Sequence, residues 1–206
     1  MLTFDNLRLG RDERGAAIGM TGSGKSVLAQ YLIPDTGKLG IIDPKRMFKY
    51  DAEVFDNPRK ILFHKPKRFI YRPTESLLDD LLAYDVVYKY LYTRENGFVY
   101  TDDMVGIMDR TKYPRYFRNI YQMGREKHVA ALTAFQRPSW LPLFLMSEAN
   151  KFYIFKLVLK GDIQRICEFV PYYNPHKFTA PHQFFYYDIS DTTGKGEMTK
   201  LNIKKG

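Results

Sequence analysis

Short apolar runs alternate along the chain with longer segments whose apolar residues recur every three to four positions. The apolar runs predict strands at residues 16–19, 39–42, 68–72, 98–101, 129–135 and 152–158. The intervening segments predict helices at residues 25–32, 75–94, 113–127, 141–150 and 162–169. Strands that alternate with helices in this way indicate an α/β fold, with a mostly parallel sheet flanked by helices.

The predicted helix at residues 75–94 has the clearest periodicity. Thr74 or Ser76 can cap its first turn, and Asn96-Gly97 is typical of a helix end. Its apolar residues at helical spacing, which we expect to face the core, are Leu77, Leu78, Leu81, Leu82 and Val86.

The pattern changes after residue 170. Two extended segments, 184–189 and 197–203, flank the sequence Thr193-Gly194-Lys195-Gly196, which predicts a C-terminal β-hairpin. We therefore expect one domain over residues 1–206, with a core at about 16–170 and an extension at about 171–206.

Composition narrows the class of protein. The chain has 206 residues, of which 45% are hydrophobic, enough for one α/β domain with a sizeable core. Its net charge of +9 favours polyanionic partners such as nucleic acid, although a basic surface can also serve solubility alone. The single cysteine, Cys167, excludes an internal disulfide framework. We expect no membrane-spanning segment and no secretory signal, because apolar runs are short and the N-terminus is charged.

The chain from Gly19 to Ser26 reads Gly-Met-Thr-Gly-Ser-Gly-Lys-Ser, the pattern of a phosphate-binding loop (P-loop) between a strand and a helix. Glycines let backbone N–H groups surround a polyphosphate, Lys25 reaches the outer phosphates, and the Ser26 hydroxyl can ligate Mg²⁺. The motif predicts ATP and Mg²⁺ as cofactors. The residues expected to contact the nucleotide are Gly19, Thr21, Gly22, Ser23, Gly24, Lys25, Ser26 and Val27.

Two carboxylates, Asp102 and Asp103, follow the predicted strand at 98–101. In P-loop proteins an acidic residue at this place organises Mg²⁺, and Asp102 fits that task together with Ser26. Asp103 can then orient or deprotonate an attacking water. A solvated loop after a strand end is the alternative interpretation.

Two further polar groups flank the predicted strand at 129–135. Gln136 follows it and can hold the attacking water or sense the outer phosphate. Arg125 precedes it and can stabilise transition-state charge in a neighbouring subunit's site. Arg118 and Arg137 compete for that second role, and a surface arginine at a helix end is the alternative.

In their order and spacing, the segments GMTGSGKSVLAQYLI, IIDPK at residues 41–45, FVYTDD and GREKHVAALTAFQRPS resemble the FtsK–HerA superfamily of DNA-pumping ATPases over about residues 16–166. The chain is most similar to the small genome-packaging ATPases of tailless, membrane-containing viruses. The resemblance implies a RecA-like core, a homo-oligomeric ring that is often a hexamer, and ATP-driven movement of double-stranded DNA into a preformed capsid. It also implies contact with capsid or vertex proteins, in the host cytoplasm or at the packaging vertex.

One motif departs from the family. The superfamily usually closes this strand with Asp-Glu, whereas this chain has Asp102-Asp103. Because aspartate is one methylene shorter, either the strand lies closer to the nucleotide or another group such as Glu126 acts as the base.

A basic segment follows the paired aspartates. We expect the loop at residues 104–115 to grip DNA phosphates without reading sequence, through Arg110, Lys112 and Arg115. Tyr113, Tyr116 and Tyr121 lie between basic residues here, and a solvated helix face is the alternative interpretation. A second basic region, at residues 38–68, can face the capsid or have no partner.

Two other functions remain open on the sequence. A small nucleotide kinase has a similar length and an N-terminal P-loop, but it has no obvious use for the IDPK and QRPS segments. A nucleotide-gated assembly module that binds ATP and turns it over poorly is compatible with the Asp103 departure. Phosphate release with duplex DNA, compared with transfer to nucleoside monophosphates, discriminates among the three.

Overall fold

The computed structural model describes residues 4–35, 37–104, 107–191 and 193–201. Within them, nine strands form one sheet in the order β3-β4-β2-β5-β6-β1-β7-β8-β9. The strands are β1 (Arg14–Ile18), β2 (Lys38–Ile42), β3 (Glu53–Phe55), β4 (Arg68–Tyr71), β5 (Gly97–Asp102), β6 (Val129–Phe135), β7 (Lys151–Phe155), β8 (Gln183–Asp188) and β9 (Glu197–Lys200). The α-helices are α1 (Phe4–Leu7), α2 (Lys25–Leu32), α3 (Pro58–His64), α4 (Leu81–Thr93), α5 (Arg115–Met123), α6 (Leu143–Ser147) and α7 (Lys160–Cys167).

The first seven strands are parallel, which confirms the predicted α/β class. β1 lies between β6 and β7, with Ile18 beside Phe135 and Ile154. β5 lies between β2 and β6, with Thr101 beside Ile42 and Thr133. The carboxyl ends of β1, β2, β5 and β6 therefore lie side by side along one end of the strands, which we call the carboxyl edge of the sheet.

The two faces of the sheet carry separate apolar cores. On one face, α2 packs through Leu28, Ala29 and Leu32 against residues such as Leu132 and Tyr153. On the other face, α4, α5 and α6 cover β5, β6 and β1. Because both faces are covered, the central strands β5 and β6 are buried almost throughout, as continuous apolar runs predict.

The C-terminal strands form the predicted hairpin. β8 pairs antiparallel with β7 and with β9, so the hairpin extends the parallel sheet along its β7 edge. The last two residues of the predicted second strand, Asn202 and Ile203, lie outside the described residues.

The predicted helix at 75–94 is wrong in its start and in its buried face. A 3₁₀ turn at Glu75–Leu77 precedes it, and α4 begins only after Asp80, whose carboxylate accepts from the N–H groups of Leu82 and Ala83. Leu82 is 76% exposed, whereas Ala83, Tyr84, Val87, Tyr88 and Leu91 face the core. Tyrosines at helical spacing contribute the buried face that a leucine-based pattern misses.

Other predicted bounds shift by a few residues. The helix expected at 113–127 is α5 followed by a 3₁₀ turn at Gly124–Lys127, and the helix expected at 141–150 is the shorter α6. The sequence analysis did not predict β3 and α3, which occupy part of the basic region at 38–68 and form one edge of the sheet.

The cap of α4 is testable by substitution. We expect Asp80→Ala to lower the free energy of unfolding by about 1 kcal/mol, because two first-turn N–H groups lose their acceptor. Urea denaturation measures the change. Ser76→Ala is the matched control and is expected to have little effect; a larger loss from Ser76→Ala than from Asp80→Ala would contradict the assignment.

Candidate functional site

Four strand ends supply the polar groups of the candidate site. β1 leads into the P-loop at residues 19–26, β2 into Asp43 and Lys45, β5 into Asp102 and Asp103, and β6 into Gln136. In open α/β sheets, ligands bind in the crevice beyond the carboxyl ends of parallel strands, which is where these groups converge.

The P-loop has the backbone shape that its glycines predict. Gly24 has φ 109° and precedes the first turn of α2, a conformation that L-residues rarely adopt. A Cβ at Gly19 would lie 2.6 Å from Phe155 Cβ and 2.8 Å from Ser23 Oγ, so the loop packs tightly against the end of β7. A side chain larger than that of glycine at position 19 or 24 would therefore distort the loop.

Lys25 lies inside the P-loop, where its ammonium group donates to the carbonyls of Gly19 (2.8 Å) and Met20 (2.9 Å). Its side chain is buried, and this burial lowers the pKa of the ammonium group, although the nearby carboxylates of Asp103 and Asp102 oppose the shift. The lysine is therefore aimed into the loop, in the place from which a bound phosphate would be contacted.

Ser26 and Asp102 both interact with the hydroxyl group of Tyr100. The Tyr100 hydroxyl donates to Asp102 Oδ1 over 2.7 Å and also interacts with the Ser26 side chain. Burial raises the pKa of Asp102, and the neighbouring carboxylates of Asp43 and Asp103 add to the shift. A hydroxyl and a carboxylate are hard oxygen ligands, so the residues present fit Mg²⁺.

Asp103 is buried, and its backbone has a φ of 27°. Its Oδ2 accepts from Lys45 Nζ over 2.5 Å and from Gln136 Nε2, and Gln136 Oε1 in turn accepts from Thr21 of the P-loop over 3.0 Å. The other oxygen, Oδ1, has no hydrogen-bond partner among the described residues. A strained backbone and an unsatisfied buried oxygen are features that occur at functional sites.

Lys45, the last residue of the IIDPK segment, has no role predicted from the sequence. Its loop is anchored by Asp43, which is fully buried and accepts from the backbone of Met47 and Phe48 and from Arg72 Nε (2.8 Å). The Lys45 side chain remains 40% exposed beyond this anchor. Lys45 reaches Asp103 because β2 and β5 are neighbours in the sheet, and the sequence pattern alone does not show which strands are neighbours.

Another buried carboxylate, Asp162 at the start of α7, holds the segment that follows Gln136. It accepts from Arg137 Nε (2.8 Å) and from the backbone and hydroxyl of Ser139. The Arg137 guanidinium also lies 4.3 Å from the ring centroid of Trp140. Arg110 donates to the Ser139 carbonyl over 2.6 Å, which joins the loop after β5 to this segment.

Arg125 and Glu126 lie at the amino ends of the strands, opposite the carboxyl edge that carries the P-loop. Both are exposed in the 3₁₀ turn that precedes β6, whereas Gln136 follows β6. Seven residues of strand span roughly 20 Å, so neither side chain reaches the P-loop of its own chain. Glu126 is therefore wrong as an alternative base within one chain, and the trans role of Arg125 stays a prediction.

The basic residues after β5 are exposed at the carboxyl edge of the sheet, where the candidate site lies. Arg110, Lys112 and Arg115 are all exposed, and Asp109 Oδ1 fixes the turn by accepting from the N–H groups of Thr111 and Lys112. Val105 and Gly106, which belong to the predicted loop at 104–115, lie outside the described residues. The interleaved aromatics are mainly structural, because Tyr121 is buried and Tyr113 packs on Phe144.

A cavity of about 350 Å³ opens on the other side of the P-loop from Asp103. Residues 20–23 of the P-loop form one wall, and Phe155, Lys156 and residues 178–183 before β8 form the other. His182 Nδ1 lies 3.1 Å from the Ser23 carbonyl, so the segment before β8 contacts the P-loop directly. The buried Ser23 Oγ has no hydrogen-bond partner within the described part of the chain.

Comparison with known proteins gives one curated relative. The DNA packaging ATPase P9 of Enterobacteria phage PRD1 is 33% identical over 107 residues, which cover 52% of this chain and 45% of that protein. The chain thus matches less than half the length of this relative, and no protein-family profile matches.

Solved structures agree on the fold. The genome packaging NTPase B204 of Sulfolobus turreted icosahedral virus 2 has a TM-score of 0.74 at 14% identity in its sulfate complex, over 96% of this chain and 100% of that one. Its complex with AMPPCP gives a TM-score of 0.73 at 12% identity, over 93% and 99% of the two chains. The type VII secretion ATPase EccC of Thermomonospora curvata gives 0.59 at 15% identity, over 95% of this chain and 26% of that one.

The FtsK–HerA resemblance is confirmed. The superfamily resemblance rests on the curated relative together with the fold, whereas the distant structures support the P-loop NTPase fold alone. Separately, none of the helices in the described ranges is both long and apolar enough to cross a membrane.

The burial of Asp102 predicts a cost in stability. Because its pKa is raised in the folded chain, the native state binds the proton more tightly than the unfolded state, and stability falls as pH rises through that pKa. We expect Asp102→Asn to raise the free energy of unfolding at pH 8, with the gain shrinking as pH is lowered. Urea denaturation at several pH values measures this.

Asp51→Asn, at an exposed position, is the control for the general effect of removing a carboxylate. A gain from Asp102→Asn that grows at lower pH would contradict this account of Asp102.

Proposed function

We propose that the chain is an ATPase that drives double-stranded DNA into a viral capsid. The observation that carries the proposal is the polar cluster at one sheet edge, where Thr21 of the P-loop, Gln136 and Asp103 are joined by hydrogen bonds beside Lys25 and Asp102. The curated relative is named a DNA packaging ATPase, and nucleotide-analogue complexes of B204 share the fold.

The arrangement supports one orientation of the nucleotide. The outer phosphates would lie over Lys25, on the side of Asp103 and Gln136. The nucleoside would lie on the opposite side, in the cavity between the P-loop and residues 178–183, which has the size of a small-ligand pocket. Ser23, whose buried Oγ has no described partner, is among the residues that line this cavity.

The residues then have distinct tasks. Ser26 and Asp102 would hold Mg²⁺, which supplies charge neutralisation on the phosphates when bound. Lys25 binds the phosphates through its ammonium group. Asp103 orients a water and accepts its proton at Oδ1, the carboxylate oxygen without a described partner. Gln136 fixes the position of Asp103 relative to the P-loop through its hydrogen bonds to Asp103 and Thr21.

A ring of subunits would complete the site. Arg125 is exposed at the edge opposite to its own P-loop, so it can act only on a neighbouring subunit's nucleotide, as a trans arginine requires. The superfamily resemblance favours a homo-oligomeric ring such as a hexamer. Arg118 is exposed on α5 and is a competitor for the role, whereas Arg137 is occupied by Asp162.

DNA would contact the loop after β5. Arg110, Lys112 and Arg115 present positive charge that suits phosphates rather than base edges. The loop leaves the strand that carries Asp102 and is bonded through Arg110 to the Ser139–Asp162 segment after Gln136. These contacts support a linkage between nucleotide state and the DNA grip. The capsid or vertex would be the docking partner, in the host cytoplasm or at the packaging vertex.

The DNA grip is tested by changing Lys112 and Arg115 together to alanine. We expect lower stimulation of phosphate release by duplex DNA, and a salt dependence of DNA binding that is shallower by about two in the log–log slope, because two phosphate contacts are lost. Release without DNA should not change. The experiment uses the full chain with Mg²⁺ and ATP.

The matched control is Arg59→Ala with Lys67→Ala, which removes two exposed positive charges from the β3–β4 edge of the sheet. Unchanged stimulation and slope in the Lys112/Arg115 variant would remove the DNA grip. Transfer of phosphate to nucleoside monophosphates in place of release would identify a kinase, and nucleotide binding with neither reaction would identify an assembly module.

A further inference from the structure

The contact between Lys45 and Asp103 occupies the carboxylate that the proposed reaction needs. Lys45 Nζ lies 2.5 Å from Asp103 Oδ2, the same oxygen that accepts from Gln136. A carboxylate whose oxygen is bound to an ammonium group is a poor acceptor for a water proton.

We propose that Lys45 is a second phosphate-binding lysine, which leaves Asp103 and binds the outermost phosphate when a nucleoside triphosphate enters. The inference rests on the proposed function, because it needs a triphosphate at the P-loop. It assigns the lysine of the IDPK segment a direct contact with substrate.

The charges beside the P-loop favour a move of Lys45 toward a bound phosphate. On the Asp103 side of the P-loop, the described residues place two ammonium groups, Lys25 and Lys45, near two carboxylates, Asp102 and Asp103, while Asp43 is paired with Arg72. Lys25 lies close enough to Lys45 for the second charge to lower the pKa of the first. A polyphosphate adds several negative charges to this balanced set, and the strongest pairing for a nearby cation is then a phosphate oxygen.

The backbone of Lys45 is fixed, but its side chain is free to change direction. Asp43 holds the loop through two backbone N–H groups and Arg72, so the Cα of Lys45 is tied to the sheet. The side chain beyond it is 40% exposed and has a flexible four-carbon stem. It can swing between Asp103 and a neighbouring phosphate without any change of the fold.

The exchange links substrate arrival to activation of the site. Once Lys45 moves, Asp103 keeps Gln136 on Oδ2 but loses its ammonium partner, so the carboxylate becomes a better acceptor for a water proton at the unpartnered Oδ1. A nucleoside diphosphate lacks the outermost phosphate and would leave Lys45 on Asp103. The site would thus distinguish the two nucleotides before any reaction.

The test is binding rather than turnover. Calorimetry with Mg²⁺ compares the affinity for AMPPNP with that for ADP in wild type and in Lys45→Ala. We expect the AMPPNP affinity to fall about tenfold or more, since a charge-assisted contact is lost, and the ADP affinity to change less than about twofold. Lys49→Ala, an exposed lysine four positions further on, is the matched control and should change neither.

A second variant keeps the proposal falsifiable. Asp103→Asn removes the competing partner of Lys45, so AMPPNP affinity should rise. This gain should be much smaller when Lys45→Ala is added, because only the repulsion between the Asp103 carboxylate and the phosphates is then relieved. Equal losses for both nucleotides in Lys45→Ala, or no loss, would overturn the proposal, as would a gain from Asp103→Asn that is as large without Lys45 as with it. Failure of the wild type to bind either nucleotide would instead overturn the proposed function.

Discussion

The burial of opposite charges at the carboxyl edge of the sheet is the constraint on which the site depends. Asp102 and Asp103 are both buried and lie close enough to the buried Lys25 to interact with its charge. A buried carboxylate is costly unless it is paired and hydrogen-bonded. Tyr100 holds Asp102, whereas Gln136 and Lys45 hold Asp103, and Gln136 in turn holds Thr21. The P-loop, β5, β6 and β2 are thus tied to one another through polar contacts that a triphosphate would rearrange.

The two edges of the sheet have different functions in this account. The carboxyl edge carries the P-loop and the basic loop after β5, which Arg110 joins to the segment after Gln136. The amino edge carries Arg125, exposed in the turn before β6. The proposed trans role of Arg125 therefore requires a neighbouring copy of the chain, because its own P-loop lies at the other end of the strands.

The position of the candidate site at the carboxyl edge could be predicted from the sequence, because the motif residues and the direction of the parallel strands point to the same place. Each motif residue follows an apolar run, and parallel strands bring the carboxyl ends of such runs together. Periodicity carries no information on strand order, however, so the Lys45–Asp103 contact between β2 and β5 could not be predicted. The salt bridge between Arg137 and Asp162 joins distant segments in the same way. The late start of α4 was missed because Asp80 competes as a cap with residues upstream, and because tyrosines supply its buried face.

A crystal structure of the chain with Mg²⁺ and AMPPNP tests the central claim most directly. The account predicts the outermost phosphate beside Lys25 on the side of Gln136 and Asp103, with Lys45 moved from Asp103 to that phosphate. It also predicts the nucleoside in the cavity formed by residues 20–23 and 178–183. A nucleoside on the Gln136 side, or phosphates bound away from Lys25, would contradict it.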